Sequence, residues 1–91
     1  MSTKNVGEIV PAQCRGARGL LNMTQPGLAV EARLGLSTIV DFEKGRRTVS
    51  AEAIQKIRTA IEKAGVEFID ENGGGPGIRL RKKSTKKNKI E

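Results

Sequence analysis

The chain has no histidine, no tryptophan and no tyrosine, and only one cysteine, two phenylalanines and three prolines among its 91 residues. Each scarcity closes off some chemistry. Without histidine, no side chain titrates near neutrality at its ordinary value, and the serines and threonines have no neighbour able to activate a nucleophile. The lone Cys14 cannot close an intramolecular disulfide, and with scattered carboxylates it makes a poor ligand set for zinc or another transition metal. Its place beside Ala17 and Arg18 on a helical pattern reads as a small, buried, apolar residue. Catalysis, a cofactor, a metal and a small-molecule substrate are therefore not expected. Phe42 and Phe68 are the only aromatics and both are expected inside, so unpaired bases would find no stacking platform. No apolar run approaches the roughly 18 residues of a membrane helix, and the N-terminus lacks an apolar signal-peptide core. The expected location is the cytoplasm, with no membrane partner.

What the chain does have is positive charge, unevenly placed. The formal charge is +7, yet residues 1–78 hold ten basic and nine acidic side chains while residues 79–91 hold seven basic and one acidic. A nearly neutral body thus precedes a basic tail. Such a tail has two readings: a solvated disordered extension, or a flexible arm that neutralises phosphates without sequence preference and with steep salt dependence. The length allows one domain. Residues 1–9 are expected to be a flexible N-terminus, 10–81 the folded domain and 82–91 a basic disordered tail. The core left is small enough that self-association is expected to add stability.

The richest stretch is Thr24 to Arg47, TQPGLAVEARLGLSTIVDFEKGRR. Apolar residues Leu28, Ala29, Ala32, Leu34, Ile39 and Phe42 recur at helical spacing, with a break near Leu34, Gly35 and Leu36 where the chain must turn. Thr24 has the chemistry of an N-cap, Pro26 is tolerated in a first helical turn, and Gly45 can close the second helix in a left-handed conformation. The pattern predicts two short helices joined by a tight turn, the second over Leu36 to Lys44. A Ser-capped amphipathic helix is expected over about Ala51 to Ala64.

These residues resemble the phage-repressor, Cro and Xre-type helix-turn-helix transcriptional regulators of bacteria and phage. The resemblance rests on Gln25, on Leu28 and Ala29, on Ser37, Thr38 and Ile39, and on Glu43, Lys44 and Gly45, spaced over 21 residues, and it covers roughly residues 10–65. It implies a mainly α fold, a repressor-like domain of four to five helices, here followed by a C-terminal two-stranded β-hairpin. One position departs from the pattern: Arg33 stands where the family has a turn glycine, so either Arg33 is strained or the turn is shaped differently. Gly35 then falls at the N-cap of the second helix, where the family more often has serine or threonine.

The resemblance also implies roles. Leu36, Ser37, Thr38 and Asp41 would face base edges in the major groove, while Ile39 and Phe42 pack inward. Leu36 suits a thymine methyl, and Ser37 and Thr38 can donate or accept. Asp41 has two readings, acceptor for a cytosine amino group or partner holding Lys44 or Arg46. Gln25, Lys44, Arg46 and Arg47 would contact phosphates, helped by helix N-terminal amides beside Gln25; for Arg46 and Arg47 an ordinary solvated turn is the alternative. Arg18, seven residues before Gln25, would pair with Glu43 as a structural tie between the first and third helices.

Downstream, Gly73, Gly74, Gly75, Pro76 and Gly77 lack the Gly-Lys-Ser/Thr ending of a phosphate loop, and no helical pattern follows. They read instead as the turn of a hairpin over residues 66–81. Val66 and Phe68 alternate with polar residues on one side, Ile78 and Leu80 on the other, which predicts one buried face made by these four. The expected function is sequence-specific binding of double-stranded DNA as a homodimer on inverted repeats, with repression or autoregulation as the output, placing the bound protein on the nucleoid. The alternative is a protein-interaction module, an antitoxin or antiactivator, using the same helices.

Overall fold

Each helix begins and ends where local chemistry dictates. The computed structural model describes residues 8–46, 48–70 and 73–81, in the order α1 (Pro11–Leu21), α2 (Gln25–Ala32), α3 (Leu36–Lys44), α4 (Ala51–Ala64), β1 (Val66–Ile69) and β2 (Gly77–Leu80). Pro11 opens α1 at a position where its missing N–H costs nothing, and the Gln13 side chain accepts the Val10 N–H at 2.8 Å. Thr24 Oγ1 accepts the Gly27 N–H at 3.0 Å to start α2, and Ser50 Oγ accepts the Ala53 N–H at 3.0 Å to start α4. Gly35 leads into α3 with no side-chain cap. Gly65, at φ 116, ends α4 and turns the chain directly into β1, a conformation only glycine adopts without strain.

The core lies where the four helices meet the hairpin. Leu28, Ile39, Ile57, Ile61, Val66 and Cys14 are its largest fully buried side chains. Burial of each large aliphatic among them contributes roughly 1.5–3 kcal/mol. Ile9 is also buried in this cluster, so the packed domain begins one residue before the boundary expected from the sequence. The tail from Lys82 onward and residues 1–7 lie outside the described residues, as does Arg47.

β1 and β2 form an antiparallel pair with Val66 opposite Leu80, Glu67 opposite Arg79, Phe68 opposite Ile78 and Ile69 opposite Gly77. Val66, Phe68, Ile78 and Leu80 therefore share one face, as their alternation requires. The face is not uniformly buried. Val66 is enclosed, Phe68 and Ile78 are half-buried, and Leu80 is 54% exposed. The expectation of four buried residues fails at Leu80, which is exposed although Val66 opposite it is enclosed.

The hairpin is nevertheless firmly held. Gln13 Nε2 donates to the Gly77 carbonyl at 2.9 Å, the Arg81 N–H donates to the Gly65 carbonyl at 2.7 Å, and Arg81 Nη2 donates to the Glu62 carbonyl at 2.6 Å. Gly16 lets β2 approach α1 closely, since a Cβ there would sit 2.8 Å from Ile78 Cδ1. Arg58 on α4 lies over the Phe68 ring at 5.3 Å from its centroid and pairs with Glu62 at 2.8 Å. These anchors explain how a two-stranded ribbon, marginal by itself, is kept in place.

Candidate nucleic-acid interface

The mutual setting of α1, α2 and α3 is held by one buried carboxylate. Glu43 projects inward from the last turn of α3 and is 2% exposed. Arg18 on α1 meets it in a two-point contact, Nε to Oε2 at 2.7 Å and Nη2 to Oε1 at 2.8 Å. Gln25, the first residue of α2, donates to Oε1 at 3.0 Å, and the Cys14 thiol donates to Oε2 at 3.1 Å. The same arginine uses Nη1 to hold the Met23 carbonyl at 3.1 Å, in the link between α1 and α2. Arg15 Nη1 donates to the Glu43 carbonyl and so covers an unpaired acceptor at the α3 C-terminus.

The charges follow from this arrangement. Burial alone would push Glu43 up, but the hydrogen bonds from Arg18, Cys14 and Gln25, with the Arg18 charge beside it, hold its carboxyl below the usual range. The bond to Glu43 raises Arg18, against the effect of its own partial burial. Burial, reinforced by donation to Glu43, pushes the Cys14 thiol well up, so it stays protonated. Cys14 is buried as expected, but it is a hydrogen-bond donor in this cluster and not merely a small apolar residue. No sequence pattern links positions 14 and 43; only the fold brings them together.

With α2 and α3 fixed in this way, the turn between them takes a defined shape. Arg33 occupies the left-handed region at φ 61, ψ 44, and the following Leu34 N–H reaches back to the Ala29 carbonyl at 3.0 Å. The arginine thus adopts the conformation the glycine would have had. Gly35 then turns the chain into α3, whose inward face is Ile39, Phe42 and Glu43.

The candidate base-reading residues sit on the remaining faces of α3. Leu36 and Ser37 are exposed at its first turn; Thr38 and Asp41 are half-buried. Lys44 and Arg46 are exposed just beyond, and the Arg46 N–H donates to the Asp41 carbonyl at 3.1 Å. Gln25 is half-buried with its amide directed at Glu43, so its anchoring role is structural as well.

The helix N-termini offer less and more than the sequence suggested. At α2, Pro26 has no N–H, the Gly27 N–H is taken by Thr24 Oγ1, and the Leu28 N–H by the Thr24 carbonyl. Only the Gln25 amide is left there for an anion. At α3 the glycine cap supplies no side-chain acceptor, and the amides of Leu36 and Ser37 have no protein partner among the described residues. That pair of exposed donors at a helix N-terminus suits an anionic oxygen. In the sequence Gly35 marks only a cap position and carries no signal for this pair.

No known family model matches the chain, and no curated protein matches it. Among the described residues, no group of three or more cysteine, aspartate and glutamate side chains could hold a metal ion, and no helix is long and apolar enough to cross a membrane.

Proposed function

We propose that the chain is a DNA-binding transcriptional regulator of the phage-repressor, Cro and Xre type, binding an inverted-repeat operator in double-stranded DNA as a homodimer and acting as a repressor. The observation that carries the reading is the Glu43 cluster. It sets α2 against α3 while leaving Leu36 and Ser37, with their two backbone donors, exposed at the start of α3. In this reading the first turn of α3 enters the major groove. Leu36 meets a thymine methyl, Ser37 and Thr38 meet base edges or phosphate, and Lys44, Arg46 and Arg47 neutralise phosphates along the backbone. No arginine belongs to the base-reading set, so DNA shape and deformability supply part of the discrimination. The five lysines between residues 82 and 89 add affinity that is independent of sequence and weakened by salt.

One such helix reads only a few base pairs. Two copies related by a twofold axis, with recognition helices about 34 Å apart, read enough sequence to select a promoter. Occupancy of promoter DNA by such a dimer is the simplest means of control.

The test is fluorescence anisotropy on the DNA upstream of the protein's own gene, for wild type and Ser37→Ala. Ser37 is exposed, so its loss leaves the circular dichroism spectrum unchanged. One lost base contact weakens specific binding by about 1–3 kcal/mol without changing affinity for unrelated duplex. Equal, salt-insensitive affinity of both proteins for all duplexes overturns the reading and favours the protein-interaction module.

A further inference from the structure

An open groove of about 670 Å³ runs between α2 and α4, and none of the candidate DNA-contacting residues lines it. Its α2 wall carries Val30, Glu31 and Arg33; its α4 wall carries Lys56, Thr59 and Lys63. Val30 is 74% exposed, the most exposed of the large apolar side chains among the described residues. Arg33, Lys56 and Lys63 make no ion pair or side-chain hydrogen bond among the described residues. The groove thus pairs an apolar ridge with three unpaired cations against one carboxylate.

We propose that this groove docks an acidic, amphipathic segment of a partner protein, whose apolar face covers Val30 and whose carboxylates meet Arg33, Lys56 and Lys63. Charge complementarity selects this occupant. The terminal residues do not match it: residues 1–7 and 82–91 together carry six lysines to one glutamate, and a second copy brings a nearly neutral body and a basic tail. Duplex DNA fits less well, because Val30 gains nothing from a backbone of charged oxygens. A helix with leucines on one edge and glutamates on the other satisfies both walls. The inference is independent of the DNA-binding reading and uses a different face of α2.

The probe is a labelled 18-residue amphipathic peptide with a leucine face and a glutamate face, titrated into the full chain and followed by anisotropy at about physiological salt. Its twin has lysines in place of the glutamates. The glutamate peptide is expected to bind and the lysine peptide not to. Lys56→Glu with Lys63→Glu should weaken the glutamate peptide by about tenfold, as should Val30→Asp. The same charge reversal at Lys44 and Arg46, which are outside the groove, should leave peptide affinity within about twofold, separating docking from general attraction to a basic protein. Lys56→Gln with Lys63→Gln gives an intermediate loss and guards against misfolding of the reversed variant. The proposal is overturned if the two peptides bind alike or neither binds, or if groove and control variants are equivalent. It is also overturned if the groove variants weaken a 20-base-pair duplex as much as the peptide, since the groove would then be a phosphate-binding surface.

Discussion

Replacing Arg18 with methionine removes the two-point partner of Glu43 while keeping an apolar stem of similar reach on α1. What stays behind is a carboxylate at 2% exposure with only the Cys14 thiol and the Gln25 amide as donors. Breaking one side of a buried pair typically costs about 3–5 kcal/mol, because the surviving charge keeps its desolvation penalty. A domain of this size has about 5–15 kcal/mol in total, so Arg18→Met should consume about a fifth or more of it and lower the melting temperature by roughly 4–8 °C per kcal/mol. Arg18→Met with Glu43→Leu removes both charges and leaves the Cys14 and Gln25 donors and the Met23 carbonyl to satisfy, and Gln25 and Met23 are half-buried within reach of water. The double variant should therefore be more stable than Arg18→Met alone. Urea unfolding followed by circular dichroism measures all three proteins. A loss below about 1 kcal/mol in Arg18→Met, or a double variant as costly as the two singles added, would refute the claim that this pair holds the helices together.

The same experiment has a pH signature. Glu43 is held below the ordinary carboxylate range in the folded protein, so its contribution is complete above the unfolded value of about 4.3 and is lost as pH falls through the lower folded value. In Arg18→Met the strongest donor that depresses Glu43, with its charge, is gone and burial pushes the carboxyl upward. The variant should then lose less on acidification than wild type, and the gap between them should narrow below about pH 4.

Two further outcomes are expected. Arg33→Gly relieves a side chain held at φ 61. The left-handed penalty of roughly 1–2 kcal/mol is partly offset by the greater freedom of glycine in the unfolded chain, so a gain of about 0.5–1 kcal/mol is expected in thermal melts; an unchanged midpoint would mean that Arg33 is unstrained. If the proposed dimer forms through the hairpin, Leu80→Asp should give a folded monomer by analytical ultracentrifugation, since Leu80 is 54% exposed. Phe68→Asp should instead lower stability, since Phe68 packs on the core beneath Arg58; a Leu80→Asp protein that still sediments as a dimer excludes the hairpin.

Helix limits were legible because they rest on local chemistry. Thr24, Gly45 and Ser50 act through neighbours a few residues away, and α3 and α4 fall where the caps and apolar spacing put them. The hairpin register was legible for the same reason, through the alternation of Val66, Phe68, Ile78 and Leu80. What the sequence hid was non-local. Gln13 stands three residues after Val10, which has no capping oxygen, so the half of a capping box that it makes carried no signal. Its second bond, to Gly77, spans 64 residues. The graded burial along the hairpin depends on tertiary packing against α1 and α4, which periodicity does not encode. Arg18 and Glu43 could be paired only through the family pattern, and Cys14 not even by that.

The Glu43 cluster also accounts for the tolerance of an arginine in the turn. If the turn alone set the angle between α2 and α3, glycine would be needed to reach the left-handed conformation cheaply. Here the far ends of the two helices are tied, because Gln25 begins α2, Glu43 lies near the end of α3, and both meet Arg18 or its carboxylate partner. The chain between these ties must close a fixed gap, and Arg33 is carried into the left-handed region by that closure. Loosening the cluster should therefore change the turn as well as the stability. In Arg18→Met, hydrogen exchange at the Leu34 amide, which donates to the Ala29 carbonyl, should accelerate more than at Ile57 in α4. Equal acceleration at both sites would show that the turn holds its own geometry and that the cluster contributes stability only.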